Sequence, residues 1–341
     1  MCTNFKVPSA DDGTIVVGRS LEYPAIVTFA LCALPKGVKR HAIGPEGSAP
    51  TKEWTTRHGV VGIALDGFDA AFFDGMNTAG LSAHLLYMVG GYFHPAEFRG
   101  DGSDICQLEL VSYLLSTCAS VDDVRASLSE INVWGWNAGL PFTPPIHVLV
   151  HDRTQSAAIE FRPEGMFLVD NPTGVATNSP YLDWHLANLN NYVGISAENP
   201  ERRVIHGAAG DLPLRALGVG WGLHGIPGDY SGPSRFIRAL ALTSLATPPK
   251  DAAGAEMLAL HILNTFDVPA GVVKEPGPHH STVDEITYVD TICNLTDLRF
   301  AYRALDDPMV YVVDVGATDF TSSTSRFLPI AAKGAFAPVT L

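Results

Sequence analysis

Residues 2–23 read CTNFKVPSADDGTIVVGRSLEY, and this stretch decides the fold. Two β-prone runs, CTNFKV and TIVVGRSLEY, flank SADDG. The Asp-Asp-Gly turn and its β-branched flanks predict a hairpin. Further strands follow outward from it. AIVTFALCAL (25–34) reads as a third strand, and residues 59–89 break into three more at glycine and aspartate turns. Residues 104–118, DICQLELVSYLLSTC, place apolar side chains at helical spacing. The next helix starts at Ser120 with Asp123 three positions on, a capping-box arrangement. HVLVHD and SAAIEFR return to strand around a turn at Arg153–Gln155. SPYLDWHLANLNNY (179–192) predicts a helix with Ser179 as its N-cap and Pro180 in its first turn. Residues 233–246 and 253–266 predict two more helices, and 285–315 a closing antiparallel meander.

Groups of strands therefore alternate with groups of helices, and β-α-β units are few. That order predicts an α+β fold of antiparallel sheets with segregated helices. The segment 194–232 is rich in Gly, Pro and Arg. It is long for a loop, so it is expected to be functional or an oligomer contact.

Composition narrows the function. The 341 residues are enough for one large domain or two ordinary ones. A net charge of −14 argues against nucleic acid and anionic membranes, whose phosphates need a basic face. No apolar run is long enough to span a bilayer, and the first residues lack the regions of a signal peptide. As written, the chain is expected in the cytoplasm, or in the periplasm if a leader was removed. The five cysteines form no CxxC pair, which argues against zinc and dithiol redox sites. Cys32, Cys106, Cys118 and Cys293 read as buried small hydrophobes. HExxH, Walker and GxGxxG sequences are absent, so neither a metal nor a nucleotide cofactor is expected. The twelve histidines are scattered, and His279-His280 read as a loop.

Cys2 differs from the other cysteines only in its place. Loss of Met1 would give one residue both a thiol and a free α-amine, a nucleophile and its own base. A thiol near pKa ~8.5 still needs activation. Arg19 lies in the strand expected to pair with that of Cys2, and a guanidinium there would stabilise a thiolate. Glu22, three positions on, could anchor the terminal ammonium. Spacing alone favours a solvated edge-strand Arg and Glu. It likewise leaves Asn178 as a helix cap, Arg235 as a first-turn surface arginine, and Asn77 as a turn residue.

Five stretches read in order change that balance: CTNF (2–5), GRSLEY (18–23), GMNTAGL (75–81), ATNSPYLDWHLANLNNY (176–192) and GLHGIPGDYSGPSRFIR (222–238). Together they resemble the choloylglycine hydrolase family, the N-terminal nucleophile hydrolases that include bile salt hydrolases and penicillin V acylases. The resemblance runs from Cys2 to the C-terminal meander. It implies a single domain over 1–341 with a four-layer αββα sandwich. It implies a Cys2 nucleophile whose amine is the general base, with Arg19 beside it, Asn178 donating to the oxyanion, and Arg235 organising the charge. Glu22 stands where most members carry aspartate. Tyr87 stands where bile salt hydrolases carry asparagine and some penicillin V acylases tyrosine. Its backbone N–H would complete the oxyanion hole, while Tyr23, Leu86 and the Tyr87 ring would line the acyl pocket. For Tyr23 and Tyr87, ordinary core packing is nearly as good a reading.

The implied activity is hydrolysis of a linear amide in an N-acylated small molecule, penicillin V-like because Tyr87 is not asparagine. Conjugated bile salts come next, then N-acyl homoserine lactones. A member that keeps the fold as an inactive ligand-binding protein is the alternative of a different class. Relatives commonly form homotetramers, so residues 193–220 are expected to embrace a neighbouring copy.

Overall fold

The computed structural model describes residues 1–24, 28–45, 50–89, 91–276, 281–304 and 307–330. His279 and His280, and the first three residues of AIVTFALCAL, lie outside these. The opening hairpin forms as its sequence requires. Strand Cys2–Lys6 pairs antiparallel with Val16–Pro24, bringing Cys2 opposite Leu21 and Asn4 opposite Arg19. The Asp12 carboxylate accepts from the Thr14 N–H (2.9 Å), and Gly13 supplies the left-handed turn residue at φ 85°.

Two large antiparallel sheets are built from such units. In the first, Cys2–Lys6 and Val16–Pro24 lie between the short strand Val175–Ala176 and the long strand Thr282–Asn294. The sheet continues through Arg299–Ala304 and Tyr311–Asp314 as the expected meander. The second runs Gly165–Asp170, Ser156–Arg162, Ile146–His151, Ser82–Tyr87, Phe68–Asn77, Val60–Leu65, Phe29–Leu34, Arg326–Pro329. Helices Gly232–Leu245 and Ala252–Leu263 cover the first sheet, and Leu110–Thr117 covers the second. The result is the αββα order of layers. Strands buried on both faces explain why runs such as FALCAL lack polar alternation.

Several local expectations are corrected. Residues 104–106 are not helical. They form a strand parallel to Asn132–Trp134, and the helix starts only at Leu110. Ser120 caps its helix as expected, accepting from the Asp123 N–H, but the Asp123 carboxylate reaches the Ala119 N–H instead of closing the box. Ser179 is no cap: Tyr181 holds that place and the helix spans Leu182–Asn188. The Ser179 hydroxyl instead accepts from the Val89 N–H at 2.7 Å. Segment 194–232 is less irregular than its composition suggests, since it contains a fully exposed hairpin, Arg203–Gly207 with Gly210–Leu214. Among the described residues, no helix is long and apolar enough to cross a membrane. Cys32, Cys106, Cys118 and Cys293 are buried free thiols.

Candidate active site

Cys2 sits at the end of its strand, 4% exposed, on the face of the hairpin that looks toward the second sheet. Strand alternation puts Arg19, Leu21 and Tyr23 on that same face. Arg19, fully buried, donates from Nη2 to Cys2 Sγ (3.2 Å) and to the Leu85 carbonyl (2.8 Å). The solvated edge arginine is thus excluded: this guanidinium is committed to the sulfur.

The Cys2 N–H donates to Asn178 Oδ1 at 3.0 Å. That oxygen also accepts from Arg235 Nη2, which fixes which end of the amide is oxygen. Asn178 Nδ2 donates one hydrogen to the Tyr87 carbonyl and keeps a second. Arg235 is no surface arginine either. It is 1% exposed and donates to the Cys2 carbonyl, to Thr3 Oγ1 (2.8 Å) and, through Nε, to the Tyr230 carbonyl (2.8 Å). Burial pushes its pKa down, while Glu22 and Cys2 act the other way. The backbone alternation at Tyr87 is informative. Met88 N–H is bonded to Pro145, so the N–H and C=O of Tyr87 turn away from the strand of Ile146. The carbonyl meets Asn178 Nδ2 instead.

Glu22 is buried on the opposite face. Its Oε1 accepts from Thr287 Oγ1 (3.1 Å), and its Oε2 has no hydrogen-bond partner among the described residues. The terminal ammonium of Met1 is held by Glu285 Oε2 (3.2 Å) and by the backbone carbonyl of Glu22. Glu285 was not singled out from sequence, because EITYVD reads as plain strand. Tyr23 and Tyr87 are half-buried neighbours. Burial, then the charges of Glu285 and Glu275, raise both phenols. Tyr23 packs edge-on to Phe29 (5.8 Å) and Phe73 (6.2 Å). Leu86 is fully buried and belongs to the apolar cluster that contains Cys2.

Two histidines that looked incidental brace Asn178. His147 Nε2 contacts the Thr177 carbonyl (2.8 Å) and His185 Nε2 the Asn178 carbonyl (2.9 Å). His185 also stacks on Phe236 with ring centroids 4.6 Å apart. The helix carrying Arg235 approaches this loop so closely that a Cβ on Gly232 would lie 2.8 Å from the Ser179 carbonyl oxygen. Only glycine suits that position. Asn77 shapes its turn as expected, accepting from Ala79 and Leu81 N–H, and also ties it to Leu115 and Cys118 carbonyls. Among the described residues one trio of potential metal ligands lies together, Asp74, His84 and Cys293. Burial pushes the Cys293 thiol far up, and the other two are already paired with each other.

A family profile described as linear amide C–N hydrolases, choloylglycine hydrolase family, matches residues 2–326. The chain belongs to the choloylglycine hydrolase family. As a choloylglycine hydrolase family member it is an amidohydrolase of linear C–N amide bonds, and Cys2 fits an N-terminal nucleophile. It is 32% identical over 326 residues to a bile salt hydrolase/transferase of Clostridium perfringens, covering 92% of each chain. To that of Lactiplantibacillus plantarum it is 30% identical, over 76% of this chain and 78% of the relative. Among solved structures, the C2A mutant of the Clostridium perfringens conjugated bile acid hydrolase superposes with TM-score 0.83 at 25% identity over 100% of both chains. Penicillin V acylase from Agrobacterium tumefaciens shares the fold, with TM-score 0.76 and 20% identity over 98% and 93%.

Proposed function

We propose that the chain hydrolyses the amide of a small N-acylated molecule through Cys2 once residue 1 is removed. While Met1 is attached, Cys2 N is a peptide nitrogen and cannot accept a proton. As a free amine it takes the thiol proton, and Sγ attacks the amide carbonyl carbon. The resulting oxyanion sits between the second Asn178 Nδ2 hydrogen and the Tyr87 N–H. Collapse expels the amine, which takes the proton from the Cys2 ammonium. Water then attacks the thioester and frees acid and thiol. Glu22, whose Oε2 has no hydrogen-bond partner among the described residues, would anchor the new ammonium, and Arg235 holds Asn178 and the Cys2 carbonyl while its own charge stays out of the reaction.

The observation that carries this reading is the convergence of two fully buried arginines on Cys2, one on its sulfur and one on its carbonyl. The half-buried tyrosines favour an aromatic acyl group such as phenoxyacetyl. Bile salt amides are the second reading, because the Clostridium perfringens relative matched over 92% of this chain is a bile salt hydrolase/transferase. Side-by-side hydrolysis of phenoxyacetyl amides, glycine and taurine bile conjugates, and N-acyl homoserine lactones ranks them. Faster cleavage of bile conjugates would overturn the order. Cys2→Ser is expected to abolish all of these, and residual wild-type rates would refute the mechanism.

The exposed hairpin at 203–214 supports an oligomer formed through residues 193–220. Leu217 is 82% and Val219 96% exposed, apolar surface that a second copy would cover. The expected state is a homotetramer, and light scattering that returns a monomer would remove this part of the reading.

A further inference from the structure

We infer that Asp74 is a positioning residue for the nucleophile, acting through Arg19; the inference rests on Cys2 as the attacking group. A buried guanidinium needs an opposite charge. Arg19 Nη1 is 3.8 Å from Asp74 Oδ2, both side chains at most 1% exposed. No other carboxylate among the described residues lies within ion-pair distance of Arg19. Neither Nε nor Nη1 makes a hydrogen bond within that set. The two ends of the guanidinium are therefore divided: Nη2 serves the sulfur and the Leu85 carbonyl, Nη1 faces the carboxylate.

Asp74 is itself pinned. Its Oδ1 lies 2.7 Å from His84 Nδ1, and its Oδ2 accepts from Thr291 Oγ1. Burial would raise the Asp74 carboxyl, but His84, Arg19 and Thr291 together hold it below the ordinary range. The four residues come from two sheets. Asp74 and His84 face each other across two strands of the second sheet. Arg19 and Thr291 face each other across two strands of the first. The Asp74–Arg19 pair is thus a bridge through the middle of the sandwich, and Cys2 Sγ is read against it. A shift of one sheet against the other would move the guanidinium off the sulfur.

Asp74→Asn tests this without requiring a substrate. Removing a negative charge near a thiol by itself makes alkylation by iodoacetamide set in at lower pH. Loss of a positioning group does the opposite, because an untethered Arg19 leaves the sulfur. The pH midpoint of Cys2 alkylation is expected to rise by about half a unit or more, a change in relative thiolate stability of that size. kcat for a phenoxyacetyl amide should fall roughly tenfold or more with KM changed less than about threefold, as for a lost transition-state contact. A midpoint that stays or falls overturns the inference and leaves Asp74 a counter-charge only. If Asp74→Asn does not fold, Thr291→Val removes one clamp and keeps the charge. A smaller rise is expected there, and none would count against the inference. A wild-type protein that alkylates normally but cleaves no amide would instead fail the functional reading.

Discussion

Two ion networks sit on opposite faces of the first sheet and behave differently. Arg19 pairs in register with Thr291, and Ser20 with Asp290, so neighbouring positions point to opposite sides of the sheet. On the inner side one carboxylate, Asp74, meets Arg19 and His84, and all three are buried. On the helix side one arginine, Arg303, serves two carboxylates, Asp290 and Asp267, and reaches the surface. Burial, opposed by Arg303 and aided by the Asp267 charge, pushes the Asp290 carboxyl up to about 7. Asp74 is held down instead. The inner network is closed; the outer one is acid-rich and open to titration. Closure is what a group aimed at a nucleophile requires, since water would compete for the guanidinium.

The largest expected effect comes from breaking the closed network. Arg19→Ala should lower kcat by about 10²–10³, the scale of a lost site donor. It should also lower unfolding stability by about 3–5 kcal/mol, because Asp74 loses its cation in the interior. Arg303→Ala, at the open network, should leave kcat within a few-fold, read from the same assay and denaturation series. Equal losses in both would erase the distinction.

A smaller effect sharpens it through pH. The folded state holds the Asp290 proton more tightly than the unfolded chain does. Its contribution to stability is therefore present at low pH and is lost as pH rises from about 4 through about 7. Asp290→Asn should flatten that decline by on the order of 1–3 kcal/mol, measured by urea unfolding at several pH values. An unchanged profile would show that Arg303 keeps Asp290 ionised. His147 should act in the other direction. Burial holds its pKa down at about 4, so its stabilising contribution is present above ~6.5 and is lost as pH falls through about 4. His147→Gln, able to keep a bond to the Thr177 carbonyl, should reduce that acid loss by about 1 kcal/mol. An unaltered acid limb would exclude His147.

Much of this was legible in the sequence where the signal is local. The Asp-Asp-Gly hairpin, the three strands of 59–89 and the C-terminal meander follow from turn residues and β-branched runs. What was missed depends on distant partners. Asp74 sits in FFDGMN, where nothing nearby marks it as the partner of residues 19, 84 and 291. His147 and His185 looked scattered because they meet only at the Asn178 loop. Ser179-Pro180 carried a good capping pattern, but Val89 claims the hydroxyl and the helix begins two residues later. The exposed hairpin of 203–214 was hidden because it lies within the Gly-rich segment 194–232, which reads as a loop.

The central claim is that a free-amine Cys2 carries the acyl group. Intact-mass and peptide analysis of acid-quenched single turnovers with a phenoxyacetyl amide tests it most directly. The expected result is one acyl adduct on the Cys2 peptide of chains that have lost Met1, and none on chains that retain it. Turnover without that adduct in Cys2→Ala, or equal rates with Met1 retained, would contradict the account.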